Sequence, residues 1–187
     1  MGDDAGTSNG GIIFAGTQTL AGNAMLVFGR GGSNELFLNS GTLTLGPQVF
    51  VHGQNGSIHG SILNQGTIAA DVGGGTIAIN GNSTTPSWSS PGVLRGSNGG
   101  SLDLGGTWTA VSPLTFSGGG RLFLEGNWSN TSQISVTGST LELGGNFTTA
   151  GIGTLNRTGG TVRIVGLLDN TGATLAHRAD RRATHDR

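Results

Sequence analysis

Between residues 36 and 175 the chain alternates short apolar segments with polar segments rich in glycine. The segments TLTL, SLDL, RLFL, TLEL and TVRI place an apolar residue at every second position. A period of two is typical of a β-strand that buries one face. None of these segments shows the 3.6-residue period of an amphipathic helix. The pattern therefore predicts an all-β fold built from many short strands.

The apolar positions also recur at a longer interval of 19 to 21 residues. Trp108, Trp128 and Phe147 each follow a glycine and a small polar residue, and the column that they form extends in both directions at this interval. Two further columns lie six and four residues before it. The first column is Val49, Ile68, Trp88, Trp108, Trp128, Phe147 and Leu168; the second is Leu43, Ile62, Leu102, Leu122, Leu141 and Val162; the third is Leu45, Leu104, Leu124, Leu143 and Ile164, with Asn64 breaking it.

A unit of about 20 residues made of short strands cannot bury its own apolar side, but stacked units can. The sequence therefore predicts a single-stranded parallel β-helix (β-solenoid) with about 20 residues in each rung. Rungs about 4.8 Å apart would place Trp108 on Trp128 and Trp128 on Phe147. The competing fold is an antiparallel sandwich, which does not require an unbroken column at constant spacing. Leucine-rich repeats are excluded because their signature is missing.

The extent of the repeat pattern divides the chain into three parts. We expect residues 1–35 to form an N-terminal cap or irregular first rungs, residues 36–175 to form the solenoid, and residues 176–187 to be a charged tail that is disordered or a short helix. Six of the last ten residues are charged. No apolar run approaches the roughly 20 residues of a membrane span, and residues 1–11 lack the features of a secretory signal. We therefore expect no membrane insertion by this segment.

Composition narrows the classes of function. Glycine accounts for 38 of the 187 residues, 10% of residues are charged, and the net charge is −1. This charge argues against capture of nucleic acid or of an anionic membrane. The chain has no cysteine, so it has neither disulfides nor a thiolate metal site. We expect no cofactor and no bound metal.

The outward positions between paired leucines carry the strongest candidates for chemistry. They are Asp103, Phe123, Glu142 and Arg163, which stacking would place in one exterior ladder. A β-helical polysaccharide lyase would use such acids to bind Ca²⁺ and a basic side chain to abstract a proton. Because Phe123 separates the two acids and Glu125 belongs to a turn, we expect instead an ion pair between Glu142 and Arg163.

Other polar residues give weaker signals. The four histidines, His52, His59, His177 and His185, lack partners at metal-ligand spacing. Asn127 and Asn146, with Thr107 before them, predict a stacked polar ladder. Three Thr-x-Thr triplets at residues 17–19, 42–44 and 107–109 would suit an ice-binding array, but their spacing predicts non-equivalent positions in the rung.

One interruption of the repeat predicts a loop. Between Ile79 and Trp88 the chain reads NGNSTTPS, about five residues longer than the matching segment before Trp108. Loops on rigid scaffolds often carry binding sites. The candidate ligand-contact residues are Gly81, Asn82, Ser83, Thr84 and Thr85; the alternative is an insertion without function. We expect Trp88 itself to point into the core.

The segments WSSPGVLRGSNGGSLDLGGTWT, TLELGGNFT and GTVRIVGLLDNTGATL resemble the degenerate repeats of bacterial autotransporter and filamentous-haemagglutinin-type adhesin passenger regions. The resemblance implies a right-handed β-helix at the cell surface or outside the cell. It also implies a role as adhesin or stalk, with host or environmental glycans or proteins as partners and further rungs in a longer parent chain. A carbohydrate-active β-helix enzyme and a purely structural scaffold remain the alternatives.

Overall fold

The computed structural model describes residues 1–80 and 87–174. Within them the chain forms short strands separated by glycine-rich corners, and every strand pair is parallel. The strands are β1 (Gly11–Phe14), β2 (Gln18–Leu20), β3 (Met25–Phe28), β4 (Glu35–Leu45), β5 (Phe50–Gly53), β6 (Gly56–Asn64), β7 (Thr67–Ala70), β8 (Thr76–Ile79), β9 (Ser87–Ser90), β10 (Val93–Gly96), β11 (Ser101–Leu104), β12 (Thr107–Ala110), β13 (Leu114–Ser117), β14 (Arg121–Leu124), β15 (Asn127–Asn130), β16 (Gln133–Thr137), β17 (Thr140–Leu143), β18 (Asn146–Thr148), β19 (Thr154–Thr158), β20 (Thr161–Ile164) and β21 (Leu167–Asp169), with a 3-10 turn at Ala150–Ile152.

The strands stack into a solenoid with three faces, about seven rungs and about 21 residues in each rung. The first face contains β1, β8, β11, β14, β17 and β20, and the second contains β2, β9, β12, β15, β18 and β21. The long strands β4 and β6 run through the corner between these two faces and join them into one sheet. The third face contains β3, β5, β7, β10, β13, β16 and β19. The predicted all-β parallel β-helix is confirmed.

The core lies inside the coil and is made by alternate residues of each strand. Inward side chains such as Leu102, Leu122 and Leu141 are fully buried and stack in register from rung to rung. Under the second face Trp88, Trp108, Trp128 and Phe147 form a continuous aromatic stack. Their successive ring centroids are 5.4, 5.6 and 4.7 Å apart. The predicted stacking of the three aromatic residues from 108 to 147 is therefore confirmed.

The first two members of the predicted aromatic column were wrong. Ile68 lies on the third face, where it pairs with Val51 and Leu94. The residue below Trp88 is instead Ile62, because Leu63 pairs with Ser89. Equivalent positions on the second face lie 26 residues apart in this rung, as Asn64 and Ser90 do. Counting a constant 20 residues across this rung therefore leads from a position on one face to a position on another face.

The longer rung also displaces the two leucine columns. The gap before Leu102 is filled by Ile77, and Leu104 is preceded by Ile79 and Ile58. Leu43 and Ile62 belong to the column that continues as the tryptophans, and Leu45 pairs with Asn64 on the second face. The inward and outward assignment of each strand is confirmed, whereas the assignment of columns across residues 81–86 was wrong.

Glycines allow the rungs to approach closely at the corner between the first and second faces. Gly126 has a φ of +76°, and a Cβ at this position would lie 1.9 Å from the carbonyl oxygen of Gly106 in the rung below. Both the left-handed backbone and the contact exclude larger side chains. Glycine therefore recurs at this corner because the stacking of rungs requires it.

The N-terminal residues pack against the first rung, which β1, β2 and β3 form within residues 11–28. The α-ammonium of Met1 donates to the Val27 carbonyl, and the amide of Gly29 donates to the Met1 carbonyl at 2.8 Å. Asp3 accepts hydrogen bonds from the side chain and backbone of Thr7, which lower the pKa of its carboxyl to about 2. At the other end, the predicted tail of residues 176–187 lies outside the described residues.

Candidate functional site

The predicted ligand-contact loop, Gly81, Asn82, Ser83, Thr84 and Thr85, lies outside the described residues. Trp88, which follows it, is 5% exposed and points into the core. Its indole N–H donates to the carbonyl oxygen of Gly105 at 2.8 Å. The prediction that Trp88 belongs inside is confirmed.

A charged cluster lies on the outer side of the first face and contains the acidic residues of the predicted exterior ladder. Asp103, Phe123 and Glu142 occupy one outward column on β11, β14 and β17, and Arg163 follows on β20. Arg163 lies 3.4 Å from Glu142, so the predicted ion pair is confirmed. The structure thus brings both acids and Arg163 onto one strip of surface.

Arg121 organises this cluster, and the sequence analysis missed it. Its guanidinium makes two hydrogen bonds to Asp103, at 2.8 and 2.9 Å, and one to Glu142 at 3.1 Å. It also lies over the ring of Phe123, with 4.8 Å between Cζ and the ring centroid. The signal was present: Arg121 precedes Phe123 by two residues and therefore faces the same side of the strand. Phe123 does not separate the acids; it supports the arginine that joins them.

Burial governs the protonation of two carboxyls in and near this cluster. The pKa of Asp103 is raised, mainly because burial disfavours its charged form; Arg121 opposes this shift and Glu142 adds to it. The pKa of Glu125 is also raised, first by burial and then by the charge of Asp103, with Arg121 again opposing. Desolvation therefore outweighs the bidentate ion pair at Asp103.

The geometry of the cluster suits cross-linking of rungs. Arg121 connects three successive rungs through its two acids, and Arg163 extends the chain of contacts to a fourth. A lyase site would instead need carboxylate oxygens free to bind a cation and a base directed at a substrate. Both carboxylates accept hydrogen bonds from arginine. Within residues 1–80 and 87–174, no three His, Asp or Glu side chains are grouped as a metal site requires.

A second polar cluster lies on the outer side of the third face. His52 Nδ1 lies 3.0 Å from Asp71 Oδ2, and the His52 ring stacks on Phe50 with 4.3 Å between centroids. Arg95 lies over the Phe50 ring from two rungs away, with Cζ 5.6 Å from its centroid. His52 therefore has an acidic partner, which could not be identified from the sequence because Asp71 lies 19 residues further along the chain.

The outer side of the second face carries the predicted polar ladder. The side-chain amide of Asn146 donates to Asn127 Oδ1 at 2.9 Å, and Asn127 pairs with Thr107 in the rung below. This prediction is confirmed. The ladder is part of a longer array, because Thr107 pairs in turn with Ser87.

Comparison of the chain with protein-family models, with curated protein sequences and with solved structures finds no match. No helix among the described residues is long and apolar enough to cross a membrane. The function is therefore inferred from the fold and from the side chains on its three outer faces.

Proposed function

We propose that this chain is a non-enzymatic β-solenoid segment of a bacterial surface or secreted protein, where it serves as adhesin passenger or stalk. The observation that carries this proposal is the uninterrupted stack of about seven rungs, held by in-register columns inside and by ion pairs outside. At about 4.8 Å for each rung, the stack extends roughly 34 Å along its axis.

The interactions between rungs support a mechanical role. Each tryptophan of the stack joins its own rung to the next: Trp88 donates to Gly105, Trp108 to Glu125 and Trp128 to Gly144, at 2.8, 3.1 and 2.8 Å. Arg121 makes equivalent connections on the exterior. A rod whose neighbouring rungs are linked inside and outside resists separation along its axis, as a stalk requires.

A carbohydrate-active enzyme is the second candidate, and the grouping of Asp103, Arg121 and Glu142 on one strip favours it. Two carboxylates with a nearby arginine are the side chains that polysaccharide cleavage uses. In this structure the arginine lies between the acids and binds both. Substrate would have to replace these contacts before either acid could act, so we prefer the structural role.

Two measurements test the proposal. Purified chain is incubated with neutral and acidic polysaccharides, and the release of reducing ends and of unsaturated products is followed. We expect no product above the level of the Arg121→Met and Asp103→Asn variants, and product from wild type alone would establish the enzyme.

In the second measurement, residues 36–174 replace an equal number of rungs in a β-helical passenger that displays a reporter on bacteria. We expect the reporter to reach the surface, because the solenoid continues the host rungs. Retention of the reporter inside the cell, while an unmodified passenger is displayed, would refute the stalk.

A further inference from the structure

The outer side of the second face carries two parallel columns of side chains, which are uncharged in every described rung but the last. Their register follows from the strand pairs: Thr19 with Thr44, Thr44 with Leu63, and Leu63 with Ser89. The pairing continues through β12, β15 and β18 to β21, where Leu167 follows Asn146 and Asp169 follows Thr148. The first column is Thr17, Thr42, Ser61, Ser87, Thr107, Asn127 and Asn146, and the second is Thr19, Thr44, Leu63, Ser89, Thr109, Ser129 and Thr148.

The expectation that the Thr-x-Thr triplets occupy non-equivalent positions was therefore wrong. The triplets at residues 17–19, 42–44 and 107–109 all lie on the second face, in the same two columns. Their spacing in the sequence is uneven because the corners differ in length; Thr17 and Thr42, for example, are 25 residues apart. Register is set by hydrogen bonds between strands and not by residue count.

The aromatic stack makes this array regular. The residue between the two columns points inward, and from β9 to β18 it is Trp88, Trp108, Trp128 and Phe147. Successive rings are nearly parallel, with interplanar angles of 21°, 10° and 17°. The hydroxyl and amide groups therefore repeat at the rung spacing of about 4.8 Å above a tightly packed base.

The array differs in chemistry from the other outer surfaces. Among the described residues, the one charged member of its two columns is Asp169 in the last rung, whereas the first face carries Asp103, Arg121, Glu142 and Arg163. The aromatic rings of the second face point inward, so the array offers no exposed ring on which a sugar could stack. Each hydroxyl can both donate and accept, as a water molecule does.

We propose that the second face binds ice. A crystal of water presents donors and acceptors at fixed intervals over a large area, and the array presents the same groups at a fixed interval. Water bound along such an array is ordered before contact, so little further ordering opposes its union with the crystal. Many weak contacts then act together on one rigid surface. This inference is independent of the stalk or adhesin role proposed above.

The test compares two variants that differ only in the face they alter. Thr109 lies in the array on β12, and Thr115 lies on the third face of the same rung; both are exposed. A lysine at either position adds the same charge and bulk. Thermal hysteresis and crystal shape are measured in a nanolitre osmometer, and partition of fluorescently labelled protein into growing ice is measured in parallel.

We expect wild type to shape ice crystals and to hold their growth below the melting point. Thr109→Lys should reduce the hysteresis several-fold, and Thr115→Lys should leave it unchanged, with equal far-UV circular dichroism in both variants. Crystals that grow in wild-type solution as they do in albumin would refute the proposal, as would equal losses in the two variants. Binding of wild type but not Thr109→Lys to insoluble neutral polysaccharide, without effect on ice, would reassign the face to a glycan.

Discussion

The indole N–H of Trp128 provides the sharpest test of how the rungs are held together. It donates to the carbonyl oxygen of Gly144, at the corner of the next rung, over 2.8 Å. This carbonyl is buried at a place where the chain turns away from the sheet. Replacing Trp128 by Phe keeps an aromatic ring between Trp108 and Phe147 but removes the donor.

The expected cost follows from two contributions. A buried acceptor that loses its donor costs about 1–3 kcal/mol. Trimming the indole to a phenyl ring leaves a small cavity, which adds about 1 kcal/mol in a closely packed core. We therefore expect Trp128→Phe to lower the free energy of unfolding by about 2–4 kcal/mol.

The assay is urea denaturation followed by far-UV circular dichroism, which does not depend on tryptophan fluorescence. Phe147→Leu is the matched control, because Phe147 lies in the same stack and has no N–H to lose. Its cost should come from packing alone and reach about 1–2 kcal/mol.

Benzothienylalanine at position 128 isolates the hydrogen bond, because it keeps the shape of the indole and lacks the N–H. We expect this variant to lose about 1–3 kcal/mol. A loss below about 0.5 kcal/mol would refute the reasoning, since it would mean that the Gly144 carbonyl does not depend on Trp128.

Three further predictions concern the exterior and the corners. Because burial raises the pKa of Asp103 above its value in the unfolded chain, ionisation of this carboxyl opposes folding at neutral pH. The free energy of unfolding should therefore rise as pH falls toward about 4. Asp103→Asn should flatten this rise when urea midpoints are measured across that pH range. Arg121→Met should lower the free energy of unfolding by about 1–3 kcal/mol, since it leaves the half-buried Asp103 carboxylate without its arginine and Glu142 with Arg163 alone. Arg163→Met should cost about 0.5 kcal/mol or less, and equal costs would contradict the bridging role of Arg121. Gly126→Ala should cost at least about 3 kcal/mol in thermal or urea denaturation, and Gly138→Ala, which shares a positive φ but has open space around it, about 1 kcal/mol.

The sequence determined the class of fold and the side on which most residues lie. Alternation within SLDL or RLFL is a property of a single strand, so it identified Leu102 and Leu104 as buried and Asp103 as outward without knowledge of any neighbour. The ion pair of Glu142 with Arg163 was equally accessible, because these two residues lie on consecutive rungs of ordinary length.

The alignment of strands across the longer rung depends on contacts between strands, which the sequence does not show. The interval of 26 residues between Leu63 and Ser89 differs from the usual 20, and the strand pairing therefore places Ile62 and not Ile68 beneath Trp88. Contacts that join different rungs, such as those of Arg121, depend on the reach of a long side chain between strands and have no fixed interval in the sequence.

The regular spacing of Trp108, Trp128 and Phe147 illustrates both what the sequence indicates and what the structure adds. The sequence alone indicated that this position must be large and apolar, because Leu168 takes the place of the ring one rung beyond Phe147. The structure added that tryptophan supplies a donor to the corner carbonyl of the next rung, and that the residues on either side of Trp108 and Trp128 are uncharged and stack in register. Hydrophobic periodicity is local and is written along the chain, whereas hydrogen-bond partners and surface arrays form only when distant rungs come into register.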